Sequence, residues 1–299
     1  MPLIGREREV AVLRAALGQA PCVVYVAGEA GVGKSALVAA AAPQARVVRC
    51  GAGPGEGGDV LVGPGPLDGA ALAGPGPVVI EDLQWADATT LRRLRDCLAE
   101  PPAGMRLLLL YRPEELTVPG LPLGVAGSQA HTVSRTQLDL APLTPEDVIT
   151  WSRLPEDEAQ ALYEVSAGLP HVLADLLQAP ESDGAPPRLT QLTLDRCSGL
   201  DPDAQALVHA AAVLGEPADE KVLAAVAGLP APRAQTALLA ALAGRLLTET
   251  PQAAYRCHPP LAARAVLDQL PGPVRRRLHG RAAEALARLP RPVPLARVA

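Results

Sequence analysis

Residues 22–38 read CVVYVAGEAGVGKSALV, and this stretch decides the fold. An apolar run at 22–26 leads into a turn opened by Gly28 and closed by Gly33, Lys34 and Ser35, the spacing G-x-x-x-x-G-K-S. Between a strand end and a helix start, glycines let the backbone curl until several N–H groups face one anion. A helix starting at Ser35 adds its unpaired N–H groups and the positive end of its dipole. Gly28, Glu29, Ala30, Gly31, Val32, Gly33, Lys34, Ser35 and Ala36 are therefore the candidate phosphate-binding residues. In such a cradle the Lys34 ammonium reaches the outer phosphates and the Ser35 hydroxyl ligates Mg²⁺. Of 27 basic residues only Lys34 and Lys221 are lysine. A chain that otherwise uses arginine keeps a compact ammonium here, where a planar guanidinium does not fit.

Around this motif, 299 residues give room for about two domains. The chain is 48% hydrophobic with 2% aromatics and no Phe, so its core is Leu, Val and Ala, and base stacking on aromatics is disfavoured. A net charge of −5 argues against a strong nucleic-acid or anionic-membrane surface. The arginines at 275–277, 281, 288, 291 and 297 read as solvated faces of terminal helices. Five dispersed cysteines without a C-x-x-C indicate neither a zinc site nor a disulfide framework. The opening MPLIGRERE lacks signal-peptide character, and no apolar run reaches membrane-spanning length. The expectation is a reduced, cytoplasmic protein with no membrane partner.

Strand-like runs at 22–26, 45–48, 77–80, 105–111 and 132–140 alternate with helical spacing at 7–17, 35–42 and 88–98. This alternation predicts an α/β domain with a parallel sheet and right-handed crossovers. Residues 51–77 hold 10 of the 27 glycines and read as a mobile loop. After Pro142 only helices follow, beginning at a Thr144 N-cap and continuing at 156–166, 170–177 and 189–287 beyond a linker at 180–187. A short hairpin at 246–250 and 255–258 among them suggests a winged-helix arrangement.

The run VVIEDLQWAD puts Glu81 and Asp82 at a strand's carboxyl end, where a doubly wound sheet binds ligands. One carboxylate holds Mg²⁺ and the other polarises the attacking water. By order alone, Glu81 takes the metal side with Ser35, and Asp82 the water side. Arg112 ends the next strand; it is either a surface arginine or a guanidinium that meets the γ-phosphate. His258 lies in a His-Pro turn and is either a satisfied core residue or a ligand.

Taken in order, IGRERE from Ile4, the cradle, VIEDLQWAD, LLLLYRPEEL and AGLPHVLADLL resemble the signal-transduction ATPases with numerous domains. The most similar type is the ATPase segment of the large ATP-binding regulators of the LuxR class, of the arginine-rich actinobacterial kind. The resemblance covers about residues 3–289. It implies an AAA-like P-loop core at 1–141, a small helical domain at 142–180 and a winged-helix-like domain at 188–289, with 290–299 opening a further C-terminal region. It also implies that Gly5 and Arg6 lie near the adenine, that Arg112 is a sensor and that Pro170 packs on the base. His258 would contact a bound diphosphate. The family works as a switch, closed with ADP and open and self-associating with ATP, reset by slow hydrolysis. ATP rather than GTP is implied by the resemblance alone, as is DNA contact through a C-terminal domain outside this chain. Two features depart from the pattern: the short Gly/Pro-rich 51–77, and one extra residue after the His258–Pro259 step.

Two other functions share the cradle. A small-molecule kinase needs an arginine-bearing lid, and 51–77 has no arginine. A non-catalytic nucleotide-binding scaffold is compatible with the shortened loop.

Overall fold

A computed structural model describes residues 3–51, 76–116, 133–179 and 184–289. Nearly all of the glycine-rich 51–77, the first half of the 180–187 linker and the 290–299 segment lie outside the described residues. The chain forms two compact units, Met1–Trp151 and Ser152–Ala299.

The first unit is built on a five-stranded parallel sheet in the order β2-β3-β4-β1-β5. Its strands are β1 (Cys22–Ala27), β2 (Arg46–Arg49), β3 (Val78–Glu81), β4 (Arg106–Tyr111) and β5 (Ser134–Asp139). The three inner strands, CVVYVA, VVIE and RLLLLY, are nearly continuous apolar runs because helices cover both of their faces. The edge strands RVVR and SRTQLD carry polar residues on their open sides. Period-2 alternation sorts the inner side chains. Val24, Val26, Val79, Leu108 and Leu110 meet Leu13 of α1 (Glu7–Leu17) and Leu37 of α2 (Lys34–Ala41) on one face. Val23, Ile80, Leu107 and Leu109 meet Leu94 and Leu98 of α3 (Ala88–Ala99) on the other.

Helix starts follow local chemistry. The Asp87 carboxylate accepts the Thr90 N–H at 2.6 Å and caps α3. Thr144 and Asp147 close a reciprocal box at the start of α4 (Pro145–Ser152): the Thr144 N–H donates to Asp147 Oδ2 at 3.0 Å and the Asp147 N–H to Thr144 Oγ1 at 3.2 Å. Sequence places β1, α1 and α3 almost to the residue. It does not anticipate two single 3₁₀ turns, Leu83–Trp85 and Pro113–Glu115, which follow β3 and β4.

The second unit is helical: α5 (Glu156–Ser166), α6 (Pro170–Gln178), α7 (Pro187–Ser198), α8 (Pro202–Leu214), α9 (Glu220–Ala227), α10 (Ala231–Ala243), α11 (Ala262–Gln269) and α12 (Gly272–Ala287). The expected hairpin is present as antiparallel β6 (Leu247–Glu249) and β7 (Tyr255–Cys257). Its core is small and aliphatic, with Ala204, Leu207, Ala210, Leu223, Ala237, Ala241 and Leu247 nearly or wholly buried. Alanine at these positions lets helix axes approach closely, which compensates for the missing Phe. Asp201 and Asp219 cap α8 and α9 through the Ala204 and Val222 N–H groups.

Candidate functional site

β1 lies at the point where the chain reverses direction across the sheet. It runs out through α2 to the far edge, returns through β3 and β4, and crosses β1 to reach β5. The segment after β1 therefore opens into the crevice at the strands' carboxyl ends. That segment is the predicted cradle. Gly31 and Gly33 turn it with φ of +81° and +103°. Gly28 must be glycine for space, since a Cβ there would stand 2.8 Å from Val32 Cγ1 and 3.0 Å from the Leu140 carbonyl oxygen. Glu29, Ala30 and Val32 are buried. Ser35 and Ala36 follow in the first turn of α2 and are exposed.

The Lys34 ammonium lies along the loop, donating to the Gly28 carbonyl at 2.6 Å and the Glu29 carbonyl at 3.0 Å. Burial pushes its pKa down to about 8, and Arg112 adds to that effect, while Glu114, Asp82 and Glu115 oppose it. These partners show that the fold gathers the cradle lysine, the strand-end acid and Arg112 within electrostatic reach of one another.

The two predicted acids part company at the end of β3. Glu81 is buried and accepts Arg49 Nε of β2 at 2.7 Å. Asp82 adopts a left-handed backbone, φ 55°, and turns the other way. Its Oδ1 accepts the Arg112 guanidinium at 3.1 Å and Gln84 Nε2 at 3.4 Å. Arg112 is held on further sides: it donates to Glu115 Oε1 at 2.8 Å, lies 4.9 Å from the centre of the Trp85 ring, and its main-chain N–H is taken by Gln84 Oε1 at 3.1 Å. Burial works against its charge, but Glu115, then Asp82 and Glu114, more than offset this and raise its pKa. Gln84 also donates to Glu115 Oε2 at 3.2 Å, closing the network.

Sequence reasoning named Asp82 and Arg112 but missed Arg49, Gln84, Trp85, Glu114 and Glu115. The signal was there in the paired acids of YRPEEL and the amide of DLQW, since polar side chains directly after buried strands fall at the site edge. Glu114 enters the cradle itself, where its Oε1 accepts the Ala30 N–H at 3.0 Å.

Among the described residues no group of three His, Cys, Asp or Glu side chains could hold a metal ion. Mg²⁺ does not need one, because it keeps waters and takes one or two carboxylates together with phosphate oxygens. The Ser35 hydroxyl and the strand-end carboxylates Glu81 and Asp82 are oxygen donors of that kind, so the residues present fit the ion.

Gly5 and Arg6 sit behind the cradle. Arg6 is buried, pairs with Glu9 at 3.4 Å and donates to the carbonyls of Val32, at 3.5 Å, and Ala141. Gly5 has φ +67°, and a Cβ there would strike the Asp147 carboxylate, so the segment before α1 is pressed against the start of α4. Pro170 and His258 belong to the second unit. Pro170 opens α6 after a left-handed Ala167 and Gly168. The His258 N–H donates to the Leu246 carbonyl at 2.9 Å beside the hairpin.

Among the described residues no single helix is long and apolar enough to cross a membrane. Residues 2–53 match the AAA ATPase domain family. No curated protein matches the chain in sequence. Among solved structures, the chain is similar to a Walker-type ATPase of Pyrococcus abyssi, with 16% identity, a TM-score of 0.59, and 88% of this chain and 96% of that one covered. It is more loosely similar to a signal-transduction ATPase with numerous domains and a tetratricopeptide repeat sensor from Pyrococcus horikoshii. That pair has 18% identity and a TM-score of 0.43, and covers 96% of this chain but only 46% of the longer one. A RuvB variant of Thermotoga maritima gives 18% identity and a TM-score of 0.42 over 84% of this chain and 91% of that one. The parallel sheet with the cradle at its centre gives the chain an AAA-like P-loop NTPase fold, and residues 2–53 are similar to the AAA ATPase domain family.

Proposed function

We propose that this chain binds ATP, hydrolyses it slowly and serves as the regulatory ATPase module of a transcriptional regulator of the LuxR class. The observation that supports the ATPase part of the reading is the Asp82–Arg112 pair, held beside Lys34 at the sheet's carboxyl edge, while the regulatory part rests on the sequence resemblance. Lys34 holds the outer phosphates and Ser35 offers its hydroxyl to Mg²⁺, which supplies charge neutralisation when bound. Asp82 orients a water and takes its proton as the water oxygen attacks the γ-phosphorus and the bond to ADP breaks. Arg112 exchanges Asp82 for the phosphate and so couples the chemistry to the turn that carries it. Such an exchange is inexpensive, because the guanidinium keeps Glu115 and the Trp85 face throughout.

In this reading Glu81 remains on the metal side, acting through water, since its Oε2 is engaged by Arg49. Arg6 and Gly5 shape the base side, Pro170 packs on the adenine and His258 meets a diphosphate. The working division is a core at 1–141, a small helical domain at 142–180 and a winged-helix-like domain at 188–289. Nucleotide-dependent self-association, a cytoplasmic location and DNA contact through a further C-terminal domain complete the proposal. The Arg49–Glu81 pair favours one second reading, a nucleotide-holding scaffold in which the first acid serves structure.

The first test is the nucleotide content of the purified protein, by acid release and chromatography. Tightly held ADP is the expected result. A protein that carries no nucleotide and takes up no ATP with Mg²⁺ would sink the ATPase reading. Tight ATP with no phosphate release over hours would favour the scaffold.

A further inference from the structure

Two acids follow Arg112, and the structure uses them differently. The Pro113–Glu115 turn is fixed by the proline ring, by the Glu115 N–H to Arg112 carbonyl bond at 3.2 Å and by the Gln84 clamp on the Arg112 N–H at 3.1 Å. From this rigid corner Glu115 points to Arg112 and Gln84. Glu114 points to the cradle and accepts the N–H of Ala30, a buried residue, at 3.0 Å. It also lies close enough to Lys34 to favour that ammonium's charged form. An anionic oxygen on a cradle N–H, within electrostatic reach of the cradle lysine, takes a position like that of a nucleotide phosphate in such a loop.

We propose that Glu114 is a built-in competing anion, which contests the Ala30 N–H with nucleotide phosphate and sets the cradle's preference for ADP over ATP. The inference rests on the nucleotide-binding reading given above. The Ala30 N–H offers one hydrogen, so a phosphate oxygen that takes it displaces the carboxylate. The displaced charge stays tethered nearby by the Pro113 corner. Repulsion between like charges in a partly buried site then grows with the charge of the ligand, and it falls harder on the triphosphate. Glu114 is thus a specificity-determining residue for the phosphate chain, distinct from Asp82, which faces Arg112.

The test compares ADP and ATP binding, both with Mg²⁺, by calorimetry on the full chain and on Glu114→Gln, Glu114→Ala and Lys34→Ala. Thermal melts confirm that each variant is folded. Glu114→Gln keeps the side chain's shape and removes its charge, and Glu114→Ala removes both. Both variants are expected to bind ATP about tenfold more tightly and ADP only about threefold, narrowing the preference for the diphosphate. An ATP affinity that is unchanged or lower in both Glu114 variants overturns the proposal. If Lys34→Ala still abolishes binding in that experiment, the nucleotide reading stands without it. If the unaltered chain binds neither nucleotide, both readings fall together.

Discussion

The carboxyl edge of the sheet and the core of the helical unit are organised by opposite rules. At the sheet edge Lys34, Asp82, Arg112, Glu114 and Glu115 are drawn together, partly out of water, and each charge is answered by another. In the helical unit the main apolar cluster is alanine, leucine, valine and cysteine, and among the described residues the unit's buried polar side chains are Ser166, His171 and Thr193, with no buried Asp, Glu, Lys or Arg. Partial burial of ion pairs adds little to stability, because desolvation offsets most of the attraction. Burial of aliphatic surface adds a great deal. The first region is therefore read for function and the second for cohesion, and substitutions in the two should separate accordingly.

The largest effect is expected at the cradle. Lys34→Ala should weaken nucleotide binding by about a thousandfold, close to abolition in a titration, while thermal unfolding changes little. A variant that binds normally would remove the chemical basis of the contrast. Leu207→Ala should do the reverse. Leu207 is fully buried in the helical core, so the truncation should cost about 3 kcal/mol in denaturant unfolding and leave ADP affinity unaltered. Nucleotide affinity that fell together with stability would mean that the two regions are not independent.

Asp82→Asn sharpens the comparison within the site. It keeps the side chain's size and its contact with Arg112, but it removes the base. Phosphate release should fall by about a hundredfold while ATP binding stays within about twofold. Turnover equal to the unaltered protein's would reassign the water-side role.

The smallest effect concerns pH. The Lys34 pKa is lowered to about 8, first by burial and then by Arg112. Between about pH 8 and the ordinary value of 10.5 the folded chain binds fewer protons than the unfolded chain, so this group favours folding more as pH rises through that window. Phosphate binding has the opposite sign, because it needs the ammonium. Affinity for ADP should be flat below about pH 8 and fall by up to about tenfold per unit above it, with proton uptake visible in calorimetry across buffers. A flat profile to about pH 9 would place the charge of the cradle elsewhere.

Much of this was legible from local pattern. The apolar runs that became β1, β3 and β4, the glycine spacing of the cradle, and the position of Asp82 and Arg112 just past buried strands need only nearest neighbours in sequence. The N-cap at Thr144 was equally local. The partners of the site residues were not legible. Glu81 and Asp82 are adjacent in sequence, yet one meets Arg49 and the other Arg112, because Asp82 turns left-handed at the strand end. Glu114 reads as one more surface acid until the fold brings it to Ala30, 84 residues earlier.

By itself, then, the sequence determined that this chain has a phosphate cradle between a buried strand and a helix, a strand-end acid pair, and an aliphatic helical half. These follow from backbone conformation and hydrophobic period, which act over a few residues. Only the tertiary structure decided the strand order, with β1 between β4 and β5, and so which strand ends face the cradle. It alone decided which carboxylate answers which arginine, and that Glu114 reaches the Ala30 N–H of the loop. Charge pairing is fixed by distance in space, and distance in space is set by how the strands are laid side by side.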